Sequence, residues 1–513
     1  MYCVMLHIEN ETDPNVLRDL VRHLERENDV LVAHIQKLAR EVAQLKGKRA
    51  AAMQLELDLL KDLLARREKA LFGDSSEKRP GTAAAPAAAA IKPRRGHGPK
   101  AQTNLPLVEQ VHDLPESDRT CGVCGGDLDE MKGQYEEAEE ITVIERRFVR
   151  VKQQRKKYRC SCNACIVTAP APAKLAAGCR YSPAFAVEVA AAKYLDHSPL
   201  ERQCRTMERE GLDVDSQTLW DQVELLARHL KPTYEAIGAH VLAQRLIHAD
   251  ETYWRLMSKT ESKRWWVWEM ACWDAVYYRI LNSRSKESAA TLLGDYTGTA
   301  VTDGYAVYAS LARPDPPRPG FDLAHCWAHV RRRFVEIEPH WPVECGAILQ
   351  MIGELYAVER ELPVWDPGAP KAIEEKVLAE RSAIRATRSR PIVDRIHAWA
   401  LAQRPLPQSG LGVAINYMLD LWPGLVMFLD KPFVPLDNNA AERGLRGIVV
   451  GRKNHYGSRS KRGAEVAAIL YTLFESAKLA GVEPKAYVMQ ATLAAIVNPG
   501  TVTLPTQFRE GNV

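Results

Sequence analysis

The chain has 513 residues, of which 46% are hydrophobic and 26% are charged, and its net charge is +4. A single hydrophobic core rarely exceeds about 250–300 residues, so several domains are expected. No apolar run reaches the roughly 18 residues of a membrane span, and the N-terminus lacks the basic and apolar regions of a secretory signal. The eleven cysteines are therefore expected to be reduced thiols in a cytoplasmic protein, where clustered cysteines typically bind metal.

A leucine repeat dominates the start of the chain, residues 1–79. Asn28 occupies one a position of the heptad, and the d positions are Leu17, Leu24, Leu31, Leu38 and Leu45. This pattern predicts a coiled coil through which the protein associates with itself, because apolar a and d positions form the seam between helices. The alternative is an amphipathic helix that packs on its own chain. Residues 80–105 are rich in Ala and Pro and then basic, which is typical of a linker.

Two groups of cysteines predict a zinc site within residues 106–172. Cys121 and Cys124 form the first group, and the run CSCNAC supplies the second. Tetrahedral thiolate coordination needs two closely spaced pairs brought together, and the alternating segment between the groups is typical of a hairpin. The candidates for the second pair are Cys160, Cys162 and Cys165. The gap of two residues favours Cys162 and Cys165, and unliganded cysteines are the alternative.

Residues 173–240 are predicted to be helical. One helix ends at Gly211, and Ser216 caps the next. A helix, a short glycine turn and a second helix form the outline of a helix–turn–helix, which would read DNA. Any pair of antiparallel helices produces the same pattern, so simple packing is the alternative.

Between residues 241 and 336 the sequence predicts the first part of a catalytic core. A three-stranded meander followed by strand–helix alternation indicates an α/β layer structure. Asp250 in HADET and Asp303 in TDGY lie at predicted strand ends. Each has a structural alternative, because Asp250 could cap the residues that follow and Asp303 with Gly304 is a typical hairpin turn. Successive strand side chains face opposite sides, so only one of Asp250 and Glu251 is expected to reach a site, and we predict Asp250.

The rest of the chain divides into three predicted parts. Residues 337–430 form an all-α insertion, residues 431–490 carry the end of the core, and residues 491–513 form a tail. The stretch LDNNAAERGLRGIVVGRKN within the second part places Glu442 in a basic field. Asn439, three residues earlier, predicts a capping box in which the glutamate only binds a backbone N–H, and this is the alternative to a functional role.

Cys326 and His329 have a spacing typical of metal ligands. Both lie in CWAHVRRRF, which is predicted to begin a helix. Two ligands do not make a zinc site, so core packing with a positioning role for His329 is the better interpretation.

Four motifs, in the order HADET, TDGY, CWAHVRRRF and DNNAAERGLR followed by GRKN, resemble the transposase family of bacterial insertion sequence 66. The likeness covers nearly the whole chain, including the leucine repeat, CGVCGG, KYLDHSPLERQ and YTLFESAKLAGVEPKAYV. It implies an RNase H-like fold in which Asp250, Asp303 and Glu442 form a catalytic triad. Carboxylates of this kind hold two Mg²⁺ ions, which Mn²⁺ can replace. The stretch HYGSRSKRG is shorter than in many members, which puts contacts there in doubt but not the triad.

The expected architecture is therefore multidomain α/β: an N-terminal coiled coil, a small zinc-binding β module, a helical DNA-binding region and an RNase H-like core with an all-α insertion. Basic residues near the triad would hold the DNA backbone, namely Arg331, Arg332, Arg443, Arg446, Arg452 and Lys453. The resemblance implies a nucleoid-associated transposase that binds the terminal inverted repeats of its element, cleaves them and transfers the ends to target DNA. Accessory proteins of the same element are further candidate partners.

Two other functions are compatible with the same motifs. One is a catalytically silent protein that still binds repeat ends, and the other is an RNase H-like, structure-specific nuclease. The intact set of three carboxylates argues against the first. The predicted coiled coil, zinc module and helix–turn–helix argue against the second, because a nuclease of this kind has no need of them.

Overall fold

The computed structural model describes mainly the C-terminal part of the chain. The described residues are 37, 148–159, 166–257, 264–316 and 319–508. The predicted coiled coil and linker lie outside them, apart from Lys37, which is helical. The cysteines considered as zinc ligands lie outside them as well: Cys121, Cys124, Cys160, Cys162 and Cys165.

Two short strands flank the second cysteine group in the sequence. Strands β1 (Lys157–Arg159) and β2 (Ile166–Thr168) pair antiparallel, with Tyr158 opposite Val167. The segment between the two strands is CSCNAC, which lies outside the described residues.

Three helices precede the central sheet: α1 (Pro183–Tyr194), α2 (Leu200–Arg209) and α3 (Ser216–Leu242). Gly211 follows α2 with a φ of 84°, a left-handed conformation that glycine adopts without steric cost. The cap of α3 is Asp215, whose Oδ1 accepts the Thr218 N–H at 2.6 Å. The prediction that Ser216 is the cap is therefore wrong, and its hydroxyl donates to Glu201 at 2.6 Å instead.

Five strands form the central sheet: β3 (Leu246–Arg255), β4 (Arg264–Ala271), β5 (Val276–Leu281), β6 (Thr299–Thr302) and β7 (Asp322–His325). Helices α4 (Lys286–Leu293) and α5 (Ala306–Ala312) precede and follow β6. The strand order is β5-β4-β3-β6-β7. β3, β4 and β5 pair antiparallel, whereas β3, β6 and β7 run parallel. The predicted meander and the strand–helix alternation after it are confirmed.

Strand β6 indicates how the sheet is covered. All of its residues are buried. Ala300 belongs to a hydrophobic core that includes α3, and Val301 belongs to a second core built mainly by the helices after β7. Since successive side chains of a strand face opposite sides, each face of the sheet carries its own core, as expected for parallel strands.

Seven helices follow β7: α6 (Trp327–Ile337), α7 (Pro342–Glu361), α8 (Lys371–Ile384), α9 (Arg390–Ala402), α10 (Gly410–Asp420), α11 (Trp422–Leu425) and α12 (Met427–Asp430). No strand interrupts this stretch, every residue of which is described. A π-helical turn joins α8 to α9, and its buried Arg385 pairs with Glu359 at 2.7 Å. In the described ranges no single helix could cross a membrane by length and composition, although α10 and Trp422–Asp430, bent by 66°, pass that test as a pair.

The last three helices return to the sheet: α13 (Asn439–His455), α14 (Lys461–Leu479) and α15 (Pro484–Val497). Helix α14 covers the edge strand β5. The hydroxyls of Ser476 and Thr472 accept the backbone N–H groups of Val276 and Tyr278, each at 3.0 Å. These hydroxyls satisfy donors that an edge strand would otherwise bury without partners. Helices α3 and α15 run across the domain boundaries predicted at residues 240 and 490.

Candidate active site

Asp250 and Asp303 lie close together near the carboxyl ends of two parallel strands. β3 pairs with β6 only as far as His248, which is opposite Val301. Asp250 lies just beyond this pairing, inside β3 rather than at its end as predicted, and Asp303 directly follows β6. The carboxyl ends of parallel strands meet at one edge of a sheet, which explains why residues far apart in sequence converge here.

The structural alternatives for these two aspartates are excluded. Asp303 leads into α5 and not into a hairpin, and its Oδ1 accepts the N–H of Tyr305 at 2.9 Å. Gly304 has a φ of 92°, so it turns the chain in a conformation that side chains resist. Asp250 lies within a strand and therefore caps no helix. Its Oδ1 accepts the N–H of Glu251 at 2.8 Å.

Glu251 belongs to the same cluster, contrary to the prediction that only one of the two neighbours reaches the site. One carboxylate oxygen from each of Asp250, Glu251 and Asp303 lies within 4.8 Å of the others. The rule of alternating faces holds for the Cβ atoms, but a glutamate side chain has further rotatable bonds. Beyond His248, moreover, β6 no longer pairs with this side of β3, which leaves room at the strand edge.

Two donors hold the carboxylate of Glu251. The Arg284 guanidinium contacts Oε1 through Nη2 and through Nε, the latter at 2.8 Å, and the Tyr308 hydroxyl donates to Oε2 at 2.5 Å. Arg284 in turn stacks on the Tyr305 ring, with its Cζ 3.8 Å from the centroid. The side chain of Glu251 is fully buried, so these donors replace the water that it loses.

The crowding of carboxylates changes their protonation. Burial, followed by the charges of Glu251 and Asp303, raises the pKa of Asp250 to about 7, and the charge of Glu442 acts in the same direction. Burial also raises the pKa of Glu251, although the contacts with Tyr308 and Arg284 oppose that shift. Carboxylates this close repel one another when ionised, so a cation bound among them would favour their charged forms.

Glu442 lies in the first turn of α13, and the cluster of carboxylate oxygens within 4.8 Å of one another comprises Asp250, Glu251 and Asp303 without it. The predicted capping box is absent, because the cap residue is Asn438 and the Asn439 side chain binds a neighbouring aspartate. Oε1 of Glu442 is buried and has no hydrogen-bond partner among the described residues. It forms longer ion pairs with Arg332 Nη2 at 3.6 Å and His329 Nε2 at 3.7 Å. His329, for which a positioning role was predicted, therefore faces Glu442.

Asn438 connects the start of α13 to two other segments of the site. It is fully buried, its Nδ2 donates to the Ala249 carbonyl at 2.9 Å, and its Oδ1 lies 2.9 Å from Nδ1 of His248. Its backbone N–H donates to the sulfur of Cys326 at 3.1 Å. One residue thus links the helix of Glu442 to the strand of Asp250 and to the Cys-x-x-His segment. Cys326 is buried, which agrees with a packing role.

Glu269 is a further carboxyl of this region that no sequence motif singles out. It lies on β4 directly opposite Asp250 and is 1% exposed, and neither oxygen has a hydrogen-bond partner in the described part of the chain. A Cβ added at Gly444 of α13 would lie 2.1 Å from its Oε1. Burial, followed by the charges of Asp250 and Glu475, raises the pKa of Glu269 well above its usual value. Burial without a donor thus favours the protonated form of Glu269.

The basic residues predicted to contact DNA divide into two groups. Those with exposed or half-buried side chains on α6 and α13 are Arg331, Arg332, Arg443, Arg446 and Lys453. Arg452 differs, because its guanidinium donates to the Thr252 hydroxyl at 3.3 Å and to the carbonyl oxygen of Tyr253. Arg452 thus ties α13 to β3, and we assign it to the structure of the site rather than to DNA binding.

Comparisons with known proteins agree with the motifs. Residues 178–466 match the family described as "Transposase IS66 family", and residues 118–163 match the "zinc-finger binding domain of transposase IS66". The first match alone covers more than half of the chain. The protein belongs to the IS66 transposase family. It is thus a transposase-type, DNA-binding protein with a zinc-binding module.

Relatives of this IS66 transposase occur in Sinorhizobium fredii. The uncharacterized protein y4hP is 28% identical over 495 residues, which cover 91% of this chain and 86% of y4hP. The uncharacterized protein y4jD is 31% identical over 420 residues, which cover 78% of each chain. The similarity therefore extends well beyond the catalytic motifs.

The matched segments include most of the predicted site residues of the transposase. Asp250, Asp303 and Glu442 fall within the transposase match. The zinc-finger match includes the cysteines Cys121, Cys124, Cys160 and Cys162, and it ends before Cys165. The choice of the second ligand pair therefore stays a prediction.

Three participants in the site were not predicted, and the sequence holds only weak signals for them. Glu251 directly follows Asp250 in the sequence, but the alternation of strand side chains argues against its taking part in the same site. Asn438 lies in a run of turn formers, where a buried asparagine is hard to distinguish from an exposed one. Glu269 interrupts the apolar run WWVWEMA, and a lone carboxylate in such a run is the one usable signal.

Proposed function

We propose that this IS66 transposase cleaves the ends of its own DNA element and joins them to target DNA, with Asp250, Asp303 and Glu442 as the catalytic carboxylates. The observation that carries this proposal is the proximity of Asp250 and Asp303 at one edge of the sheet. The charge of Glu442 also raises the pKa of Asp250, which supports a place for Glu442 beside them. The sheet order, an antiparallel meander continued by two parallel strands, supports an RNase H-like core.

The donor set fits a divalent cation. Carboxylate oxygens are the ligands that Mg²⁺ prefers, and Oε1 of Glu442 is buried without a hydrogen-bond partner among the described residues. Asp250, Asp303 and Glu442 would hold the ions, whereas the carboxylate of Glu251 is engaged by Arg284 and Tyr308. Two Mg²⁺ ions, or Mn²⁺ in their place, would activate the attacking oxygen and stabilise the leaving oxygen of a phosphodiester.

The chain's own basic residues would bring DNA to these carboxylates. Arg443, Arg446 and Lys453 are exposed on the helix that carries Glu442, and Arg331 and Arg332 lie on α6. Contacts between such side chains and phosphates supply affinity without reading sequence. Recognition of the terminal inverted repeats would then fall to other segments, for which the predicted helix–turn–helix and the zinc module are the candidates.

The N-terminal modules complete the proposal. Zinc held by Cys121, Cys124, Cys162 and Cys165 would supply folding energy to the module of residues 106–172, since structural zinc sites do so directly. The leucine repeat of residues 1–79 would bring two or more chains together, so that both ends of the element can be held in one complex. Accessory proteins of the same element would join this complex at the nucleoid.

A cleavage assay on labelled DNA from the ends of the element tests the catalytic assignment. Asp250→Asn, Asp303→Asn and Glu442→Gln should each reduce Mg²⁺-dependent cleavage by several orders of magnitude, because metal-assisted stabilisation of the transition state contributes several kcal/mol. Binding of the same DNA should change little, since affinity rests mainly on phosphate contacts. Asp295→Asn, an exposed aspartate of the same domain, is the matched control and should cleave normally.

The same assay separates the alternatives. Cleavage at a wild-type rate by Glu442→Gln would refute the triad. A wild-type protein that binds the ends without cutting them would be the silent binding protein. Cutting of branched or structured DNA irrespective of its sequence, with no preference for the element's ends, would identify the nuclease.

A further inference from the structure

We propose that His240, Cys272 and Asp274 form a second zinc site, separate from both the carboxylate cluster and the cysteine module. One ligand atom from each of the three side chains lies within 4.8 Å of the others. Among the residues that the structure describes, this group and the acidic cluster are the sets of three or more metal-ligating side chains. Only this one combines nitrogen, sulfur and oxygen donors.

The fold brings the three residues together from two elements. His240 lies in the last turn of α3. Cys272 and Asp274 lie in the turn between β4 and β5, which is closed by a hydrogen bond from the Cys272 N–H to the Ala275 carbonyl at 2.8 Å. A tight turn holds the thiol and the carboxylate in a fixed relation, so a metal needs to recruit only the imidazole from elsewhere.

Asp274 already contacts both of the other side chains. Nε2 of His240 lies 2.9 Å from Oδ1 and 3.1 Å from Oδ2 of Asp274, and the Cys272 thiol lies 3.1 Å from Oδ1. These are hydrogen-bond distances. Ligands of a tetrahedral zinc ion are separated by roughly 3.2–3.8 Å, given Zn–N, Zn–O and Zn–S bonds of about 2.0–2.3 Å. The contacts of Asp274 with His240 and with Cys272 therefore have to widen by only a few tenths of an ångström as the ion replaces the bridging protons.

The environment of the group suits a bound metal. The Asp274 side chain is 3% exposed and Cys272 is buried, whereas the His240 side chain is 27% exposed. The imidazole thus borders solvent, which provides an entry path and a place for a water molecule as the fourth ligand. A buried charge is costly unless it is compensated, and a thiolate with a carboxylate balances the two charges of the ion.

The donor types select the metal. A thiolate, an imidazole and a carboxylate are all common ligands of Zn²⁺, which has no geometric preference beyond tetrahedral packing. Mg²⁺ avoids sulfur, so the catalytic cation would not occupy this position. Binding would release the thiol proton of Cys272, together with any proton on the coordinating imidazole nitrogen.

A metal in this position would fasten the end of α3 to the β4–β5 turn. Only Ala243, Gln244 and Arg245 separate α3 from β3, the strand that carries Asp250. The site would therefore stabilise the junction between the helical region and the catalytic sheet. Its existence does not depend on the proposed catalytic function.

Zinc content of the full-length protein, measured after dialysis at a fixed micromolar concentration of free zinc, tests the proposal. We expect about two zinc ions per chain, one here and one in the cysteine module. Cys272→Ser and His240→Gln should each lower the content by about one. Cys179→Ser is the matched control and should leave the content unchanged, because that thiol donates to the Gln222 side chain at 3.4 Å and belongs to no metal-ligating group among the described residues.

Replacement of zinc by cobalt distinguishes metal bound at this site from metal bound in the cysteine module. It also provides a second measurement if one of the variants above fails to fold. In Cys121→Ser, Co²⁺ bound here should give the charge-transfer absorption of a single thiolate, and His240→Gln in the same background should abolish it. A wild-type content of one zinc that Cys121→Ser removes would overturn the proposal and identify a hydrogen-bonded cluster. Wild-type zinc content in both Cys272→Ser and His240→Gln would overturn it as well.

Discussion

Two buried glutamates on neighbouring strands, Glu251 on β3 and Glu269 on β4, have opposite surroundings. The whole residue Glu251 is 8% exposed, with its side chain fully buried, and its carboxylate accepts hydrogen bonds from Arg284 and Tyr308. Glu269 is 1% exposed and has no hydrogen-bond donor among the described residues. Burial raises the pKa of both, but the partners of Glu251 oppose the shift, whereas the neighbouring charges of Glu269 add to it.

The difference indicates how the site concentrates negative charge. The charge of Glu251 is offset by a cation, whereas the charged form of Glu269 is disfavoured because it has neither solvent nor a donor among the described residues. In the proposed mechanism, Asp250, Asp303 and Glu442 are therefore the carboxylates left to bind a divalent ion. Burial alone does not decide the state of a carboxyl group, since the available donors decide it.

Removal of Arg284 should leave Glu251 without its cationic partner, as Glu269 already is. Of the substitutions considered below, we expect this one to have the largest effect on stability. Arg284→Met leaves the buried carboxylate of Glu251 without its cation, which should lower the free energy of unfolding by about 3 kcal/mol. This value is at the lower end for buried ion pairs because Arg284 itself is partly exposed. The midpoint of urea unfolding, followed by tryptophan fluorescence, measures the loss. Cleavage of element-end DNA should fall as well, since Glu251 adjoins Asp250.

A control and a rescue make that result specific. Arg279 lies in the same sheet, and its guanidinium donates to the Thr291 carbonyl at 3.4 Å. Arg279→Met should therefore lower the free energy of unfolding by less than about 0.5 kcal/mol. Glu251→Gln added to Arg284→Met should recover part of the stability, because no charge is then stranded. Equal stability of the single and double variants would show that the pair contributes nothing.

Glu269→Gln should change the pH dependence of stability. The folded-state pKa of Glu269 is raised, so the folded protein holds a proton that the unfolded chain releases above about pH 4.3. The stabilising contribution of the Glu269 proton is therefore fully present below that pH. It is lost as the pH rises towards the folded-state pKa, by up to about 1.4 kcal/mol per pH unit. When the free energy of unfolding is measured at several pH values without Mg²⁺, it should change less with pH for Glu269→Gln than for the wild type. Parallel pH profiles for the two proteins would mean that Glu269 titrates normally.

Gly444→Ala should give the smallest effect and reports on the packing around Glu269. The added methyl group would lie 2.1 Å from Oε1 of Glu269, so the buried side chain or the helix has to move, at a cost of about 1 kcal/mol. Glu269→Ser shortens the opposing side chain and should rescue Gly444→Ala in the double variant. Gly447→Ala, also on α13 but 3.0 Å from a carboxylate oxygen of Glu475, provides a comparison. Additive losses in the double variant would exclude direct packing of Gly444 on Glu269.

Much of the catalytic core could be predicted because its signals are local. Strand-like and helical runs alternate in the order in which β3 to β7 and their helices occur, so the meander and the α/β class followed from short stretches. Asp250, Asp303 and Glu442 each belong to a motif that can be read without knowing the fold. The coiled coil, the zinc ligands and the domain limits are still predictions of the same local kind.

The connections between these motifs were decided by the tertiary structure. Asn438 and His248 are separated by 190 positions in the chain, and no periodicity of either segment indicates their contact. The capping box for Glu442 failed because the Asn439 side chain binds Asp437 and the cap position is taken by Asn438, whose polar groups bind β3 and Cys326. The roles of Glu251 and Arg452 likewise depend on which donors and acceptors the fold places beside them.

The sequence by itself determined which residues could carry the chemistry, because residue type and local order suffice to recognise a carboxylate set in a basic field. Only the tertiary structure decided in which direction the pKa of each carboxyl group shifts. A pKa depends on burial and on partners within a few ångströms, and those partners come from distant parts of the chain. Glu269 is the plainest case, since its raised pKa follows from burial in the sheet, from Asp250 on the next strand and from the glycine of α13 that covers it.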